Sequence, residues 1–200
     1  GELLWNREIG GLYVDGRRLL AASAWWDPAF GAARGDSSVL VCVFQDDRGD
    51  MRVQRVEYIR VPPAEISVDC DEATAQCRIV ARIARDLYLP SVAVEINGLG
   101  RFLPSVLRRA LAEANASCAV IEISSRKPKD LRILEALDAP MAARKIHLHR
   151  SVLDTPLMTE MREWRPGVSR GHDDGIDALA GALALHPAWI ERAPVTPGRR

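Results

Sequence analysis

The chain has 200 residues, of which 48% are hydrophobic and 27% are charged, and its 27 basic and 27 acidic residues give a formal net charge of zero. This length and apolar content suit one folded domain and exclude a disordered chain. No apolar run approaches the about 20 residues of a membrane span and no segment has the pattern of a secretory signal, so we expect no membrane association.

The first part of the chain predicts three strands joined by tight turns. Residues 1–20 are mixed in character and receive no assignment. The next segments are short and apolar, rich in β-branched residues, or alternate polar with apolar residues, which are patterns typical of strands. We therefore predict strands at Ala21–Trp26, Ser37–Gln45 and Met51–Val61, separated by turns at Phe30–Asp36 and Asp46–Asp50.

The rest of the chain alternates helices with short strands. We predict helices from Asp69 or Asp71 to Tyr88, at Phe102–Asn115, at Lys129–Leu137 with an interruption at Ala139-Pro140, at Ser151–Trp164 and at His172–Leu185, and strands at Ser91–Ile96, Ala119–Ile123 and Lys145–Leu148. This order indicates an α/β fold with a mixed sheet of about five strands flanked by helices. It is similar to the order of ribonuclease H-like domains.

Carboxylates lie where two of these strands end and where the last helix begins. Asp27 ends the first strand, Glu95 ends the fourth, and Asp173 and Asp174 open the final helix, whose dipole favours anions. Glu95 interrupts an apolar run, where a carboxylate is costly without a cation. Alternatively, Asp27 is a turn residue and Asp173 is only a helix cap.

A cluster of such carboxylates is suited to phosphodiester hydrolysis. Two Mg²⁺ or Mn²⁺ ions roughly 3.5–4 Å apart can activate a water molecule and neutralise the leaving oxygen, and both ions prefer carboxylate oxygens. The four cysteines have no zinc-binding spacing, so the sequence predicts no zinc site. They favour a reducing, intracellular setting. The sequence therefore predicts a site for magnesium or manganese, with two ions expected.

Three segments carry a family resemblance. They are Trp26-Asp27-Pro28-Ala29 with Gly35–Ser38, then Val94–Gly100, and finally His172-Asp173-Asp174-Gly175-Ile176-Asp177-Ala178-Leu179-Ala180, preceded by a stretch with Lys129, Arg132 and Pro140. With these motifs the chain resembles the C-terminal nuclease domain of the large terminase subunit of tailed bacteriophages. The resemblance spans residues 20–187.

The resemblance implies a metal-dependent endonuclease that cuts concatemeric double-stranded viral DNA during genome packaging. It implies that Asp27, Glu95 and one or both of Asp173 and Asp174 are catalytic metal ligands. Accessory roles are then expected for His172, Asp36 and Asp177, of which Asp177 is a further ligand or, as we favour, a packing residue. The alternatives are a resolvase- or transposase-type nuclease of the same superfamily and a non-catalytic module that docks DNA or a capsid protein.

Basic residues suggest where DNA would run. Residues 126–150 contain seven Lys or Arg against three acidic residues. We expect Arg126, Lys127, Lys129 and Arg101 to contact DNA phosphates. A solvated helix face is the alternative explanation.

The resemblance also implies a domain organisation. Residues 1–20 would follow an ATPase domain, residues 21–190 would form the nuclease domain, and residues 191–200 would be a basic, proline-containing tail. The chain contains no G-x-x-x-x-G-K-[ST] motif, so we expect no ATP site in it. The implied partners are the ATPase domain, the small terminase subunit and the portal of the procapsid, in the cytoplasm of an infected bacterial host, without secretion.

Overall fold

The computed structural model describes residues 1–30, 37–96, 102–124, 127–168 and 173–190. It begins with an antiparallel meander that includes the residues left unassigned above: β1 (Leu4–Asn6), β2 (Gly11–Val14) and β3 (Arg17–Asp27). Asp15 and Gly16 both have positive φ, 50° and 73°, and form the two-residue turn between β2 and β3. Such a turn matches the twist of the strands that it connects. β3 consequently begins four residues before the predicted strand at Ala21.

The long strand β3 continues the meander into β4 (Ser38–Asp46) and β5 (Met51–Ile59), at the predicted positions. Alternate residues of β3 face opposite sides of the sheet. Trp26 is accordingly buried in one core and Trp25 in the other. The Ser23 hydroxyl donates a hydrogen bond of 2.8 Å to the carbonyl oxygen of Ala182 near the other end of the chain.

Parallel strands extend this centre on both sides. β6 (Ser91–Glu95) pairs with β3 and carries β7 (Ala119–Ile123), β8 (Ile146–Leu148) pairs with β5, and the short β9 (Ala188–Trp189) pairs antiparallel with the first half of β3. The fold class is confirmed as a mixed sheet with flanking helices. Within the described ranges the sheet has nine strands rather than about five, because the short strands β1, β2 and β9 add to those predicted.

Helices cover both faces of the sheet. One core lies under α1 (Glu72–Asp86) and α2 (Leu103–Glu113), and the other lies under α3 (Lys129–Ala142), α4 (Leu157–Glu163) and α5 (Asp174–Ala184). Short 3₁₀ turns occupy Pro63–Glu65 and Arg150–Asp154. Asp71 caps α1 by accepting a hydrogen bond from the Thr74 N–H at 2.8 Å. No helix in the described part of the chain has the length and apolar character that a bilayer crossing needs.

Two prolines act differently from the sequence-based expectation. The interruption predicted at Pro140 is wrong, because α3 continues through it to Ala142. Pro140 lies in the last turn, where its missing N–H removes only one helical hydrogen bond. The single helix predicted at Ser151–Trp164 is also wrong. Thr155, which precedes Pro156, takes an extended conformation with φ −94° and ψ 160°, and this divides the segment into a 3₁₀ turn and α4.

Candidate active site

Asp27 and Glu95 are the last residues of two neighbouring strands. β3 and β6 run parallel with Trp26 opposite Val94, so their carboxyl ends meet at one edge of the sheet. Trp25 lies two residues before Asp27, and Ala93 lies two residues before Glu95. Both Trp25 and Ala93 are buried in the core beneath α3, α4 and α5. Because side chains two residues apart share a face of a strand, both carboxylates project toward these helices.

The environment of Asp27 shows how closely the acids are gathered. Burial raises the pKa of its carboxyl from 3.8 to about 7, and the charges of Glu95, Asp177 and Asp174 act in the same direction, whereas Lys129 lowers it. A cluster of like charges disfavours further ionisation in this way. The residues named by the motifs, which lie far apart in the chain, therefore share one acidic pocket.

Helix α5 supplies the acids that face the strand ends. The Asp174 carboxylate oxygen Oδ2 accepts a hydrogen bond of 2.8 Å from the backbone N–H of Ser37, which precedes β4. Asp177, one turn later, is 4% exposed. Asp173 stands immediately before the helix, at the position of a capping residue, but its side chain makes no capping hydrogen bond. Asp174 and Asp177 are thus the α5 acids that act on Asp27.

Lys129, the first residue of α3, points into this group of carboxylates. Its Nζ lies 2.5 Å from Oδ1 of Asp173, 3.8 Å from Oδ2 of Asp177 and 3.9 Å from Oδ1 of Asp174. Burial lowers the pKa of Lys129, but the three carboxylates outweigh it and the pKa is raised. The side chain therefore stays cationic and offsets part of the negative charge of the pocket.

Arg132, one turn further along α3, connects the deeper acids. Its Nε and Nη2 bind Oδ1 and Oδ2 of Asp177 at 2.9 and 2.5 Å, and its Nη1 lies 3.5 Å from Oε1 of Glu95. The guanidinium also stacks over Trp25, with 5.7 Å between its central carbon and the ring centroid. This paired geometry is specific to arginine and fixes the carboxylate of Asp177 in orientation.

The donor set fits hard divalent cations, because every donor is a carboxylate oxygen. Burial is the main cause of the raised pKa of Asp27 and the neighbouring acids add to it, so a bound cation would stabilise the ionised carboxylate. Among the described residues, however, no three acidic, histidine or cysteine side chains are already spaced to hold a metal ion. The two α3 cations stand between the carboxylates and bind them instead.

Comparison with solved structures identifies the fold. The Mn-soaked nuclease domain of the human cytomegalovirus terminase matches with a TM-score of 0.57 at 13% identity over 82% of each chain. The nuclease domain of the large terminase subunit of bacterial virus Sf6 matches with a TM-score of 0.54 at 12% identity, over 83% of this chain and 89% of that one. The chain has the fold of terminase nuclease domains. No protein-family profile and no curated protein sequence matches it.

On this terminase nuclease fold, the predicted site residues separate into three groups. The structure brings together Asp27, Glu95 and Asp174, with Asp173 and Asp177 connected to them through Lys129. Lys127 lies elsewhere: its ammonium group pairs with exposed Glu135. The predictions for Asp36, Arg101, Arg126 and His172 lie outside the described residues.

Arg132 was missed as a site residue by sequence reasoning, although its place in the stretch before the third motif was noticed. Its spacing of three from Lys129 on one helix was the available signal, because residues three apart share a helix face. The sequence also assigned Lys129 to DNA phosphates, whereas its contacts in the structure are with carboxylates.

Proposed function

We propose that the chain is a metal-dependent endonuclease that cleaves concatemeric double-stranded viral DNA during genome packaging. The observation that supports this best is the convergence of Asp27 and Glu95, at the ends of β3 and β6, with Asp174 at the start of α5: burial, together with the charges of the neighbouring acids, raises the pKa of Asp27 to about 7. The terminase nuclease fold adds support, because structures of the Sf6 domain were determined with manganese or with calcium. Mg²⁺ or Mn²⁺ is the proposed cofactor.

In this proposal Asp27, Glu95 and Asp174 hold the ions, with Asp173 as an additional ligand at the rim. When bound, two such ions supply activation of the attacking water and neutralisation of the leaving oxygen. The role of the chain is to place hard oxygen donors from three separate elements at one point. Asp177 contributes indirectly, since its carboxylate is occupied by Arg132.

The basic residues of α3 have two tasks in the proposal. Arg132 orients Glu95 and Asp177 through the ion pairs that its guanidinium makes with both carboxylates. Lys129 is more exposed and long enough to move, so it can leave the carboxylates and bind a DNA phosphate at the mouth of the pocket.

We propose Lys127, Arg126 and Arg101 as further phosphate contacts, which predicts weak, salt-sensitive binding with little sequence preference.

A plasmid assay tests the activity. We expect the purified chain with Mn²⁺ to convert supercoiled plasmid to nicked and linear forms. Asp27→Ala and Glu95→Ala should abolish this conversion, while Asp138→Ala, an exposed acid on α3, should not alter it. Asp174→Ala is expected to reduce cleavage more than Asp173→Ala. Supercoiled plasmid that persists with wild-type protein would favour a docking module, and preferential cutting of four-way junctions would favour a resolvase.

The biological setting follows as part of the same proposal. A packaging nuclease would work with an ATPase domain, a small terminase subunit and a portal, in the cytoplasm of an infected bacterium. Co-purification of the chain with a portal protein from infected cells would test this setting separately from the chemistry.

A further inference from the structure

A buried glutamate from a neighbouring helix holds the start of α5. Glu160 of α4 is 6% exposed. Its Oε2 accepts a hydrogen bond of 2.9 Å from the backbone N–H of Ile176, and the N–H of Gly175 also bonds to this carboxylate. Its other oxygen, Oε1, accepts a hydrogen bond of 2.7 Å from the hydroxyl of Tyr58 on β5.

These two backbone donors are the ones that a capping residue ordinarily serves. The side chain of the residue before a helix accepts from the second or third N–H of the first turn. In α5 those are Gly175 and Ile176, and Asp173 is in place to bind them. Its carboxylate instead contacts Lys129 at 2.5 Å. Glu160 has therefore taken the capping role that Asp173 would otherwise fill.

Gly175 allows the side chains of Tyr58 on β5 and Glu160 on α4 to approach the first turn of α5 closely. A Cβ at this position would lie 1.9 Å from the Tyr58 hydroxyl oxygen and 2.8 Å from Oε2 of Glu160. Any side chain here would displace the Tyr58 hydroxyl and the Glu160 carboxylate from the first turn of α5. The absence of a Cβ therefore allows the Tyr58–Glu160 pair to sit directly against the backbone that carries Asp173 and Asp174.

We propose that Glu160 is a positioning residue for the metal centre: by capping α5 from outside, it keeps the carboxylates of Asp173 and Asp174 directed into the acidic pocket. Without Glu160, Asp173 would turn back onto the free N–H groups of its own helix, because buried donors without an acceptor are costly. The inference rests on the proposed function, since the pocket is taken to bind divalent ions.

Calorimetric titration with Mn²⁺ in the absence of DNA tests this without relying on cleavage. We expect Glu160→Ala to weaken Mn²⁺ binding at least tenfold, within the range seen when groups that orient metal ligands are removed. Glu160→Gln should retain most of the affinity, because its amide oxygen can still accept from the helix. Glu163→Ala, an exposed glutamate on the same helix, is the matched control and should bind as wild type does.

The possible outcomes separate the two proposals. A wild-type chain that binds no Mn²⁺ would overturn the proposed function. A wild-type chain that binds Mn²⁺ while Glu160→Ala binds it equally well would overturn only the role of Glu160. If Glu160→Ala does not fold, Tyr58→Phe replaces it, since losing one hydroxyl should raise the Mn²⁺ dissociation constant several-fold; an unchanged constant would also overturn the role.

A change of capping residue gives a second readout. In the wild-type background, Asp173→Ala should leave the thermal unfolding midpoint nearly unchanged, because Asp173 makes no cap and its part-exposed ion pair with Lys129 is screened by solvent. In the Glu160→Ala background the same change should lower the midpoint clearly, because Asp173 would then cap α5. Equal effects in the two backgrounds would show that Asp173 never takes over the cap.

Discussion

Replacing Asp27 by asparagine should stabilise the metal-free chain and should do so more strongly as the pH rises. The pKa of Asp27 is about 7 in the folded chain against its usual 3.8, so the folded state holds a proton that the unfolded state releases. A carboxyl group whose pKa is raised in the folded state destabilises that state as the pH rises from the usual pKa to the folded-state pKa. This rise in pKa lowers the free energy of unfolding by about 4 kcal/mol at pH 8, and by less than half of that at pH 5.

Urea unfolding followed by tryptophan fluorescence measures this difference in EDTA between pH 5 and pH 8. Solvent screening and local relaxation reduce this energy. We therefore expect Asp27→Asn to have a free energy of unfolding about 2–4 kcal/mol higher than that of the wild type at pH 8. Asp138→Asn is the control, because this carboxylate is exposed on α3. Added Mn²⁺ should reverse the order by stabilising the wild type alone. The reasoning is refuted if Asp27→Asn in EDTA at pH 8 is no more stable than the wild type.

Three further predictions follow from other contacts. Arg132→Met should lower the free energy of unfolding by about 3 kcal/mol in urea titrations, because it leaves the buried Asp177 carboxylate without its main partner; a loss below about 1 kcal/mol would contradict this. Gly181→Ala should destabilise α5 by about 1–3 kcal/mol in the same assay, despite the usual helix preference for alanine, because its Cβ would lie 2.4 Å from the buried Trp25 ring; a stabilised variant would count against it. In native protein at pH 8, Cys70 should react fastest with a thiol reagent, because it is part-exposed whereas burial raises the pKa of the other three thiols; equal rates for all four would exclude this.

The strands and the convergent acids were accessible from the sequence because both depend on local pattern. β4 carries valines at alternate positions among other apolar residues, and Glu95 stands out as a charge in an otherwise largely apolar strand. Once Asp27 and Glu95 are placed at strand ends, parallel pairing brings them together without further information. The metal ligands themselves stay a prediction, since the described residues hold no metal-ready cluster.

The features that escaped prediction depend on contacts between elements. Lys129 and Arg132 have the spacing of an ordinary solvated helix face, and only the packing of α3 on α5 turns them toward carboxylates. Glu160 similarly resembles a surface glutamate until α4 meets α5. The Asp15-Gly16 turn is different: its sequence is a recognised hairpin signal, and the mixed character of the flanking residues obscured it.

The position of β3 in the sheet determines when the sheet can be completed during synthesis. This strand pairs with β9 near the end of the chain, and its Ser23 hydroxyl is bonded to Ala182, 159 residues away. Contacts of such long range form slowly and only when both partners exist. A nascent chain on the ribosome would thus keep an incomplete sheet, and an incomplete set of acids, until residues 174–190 had been translated. Under the proposed function, cleavage of nearby DNA would have to wait until this segment had been translated and had folded.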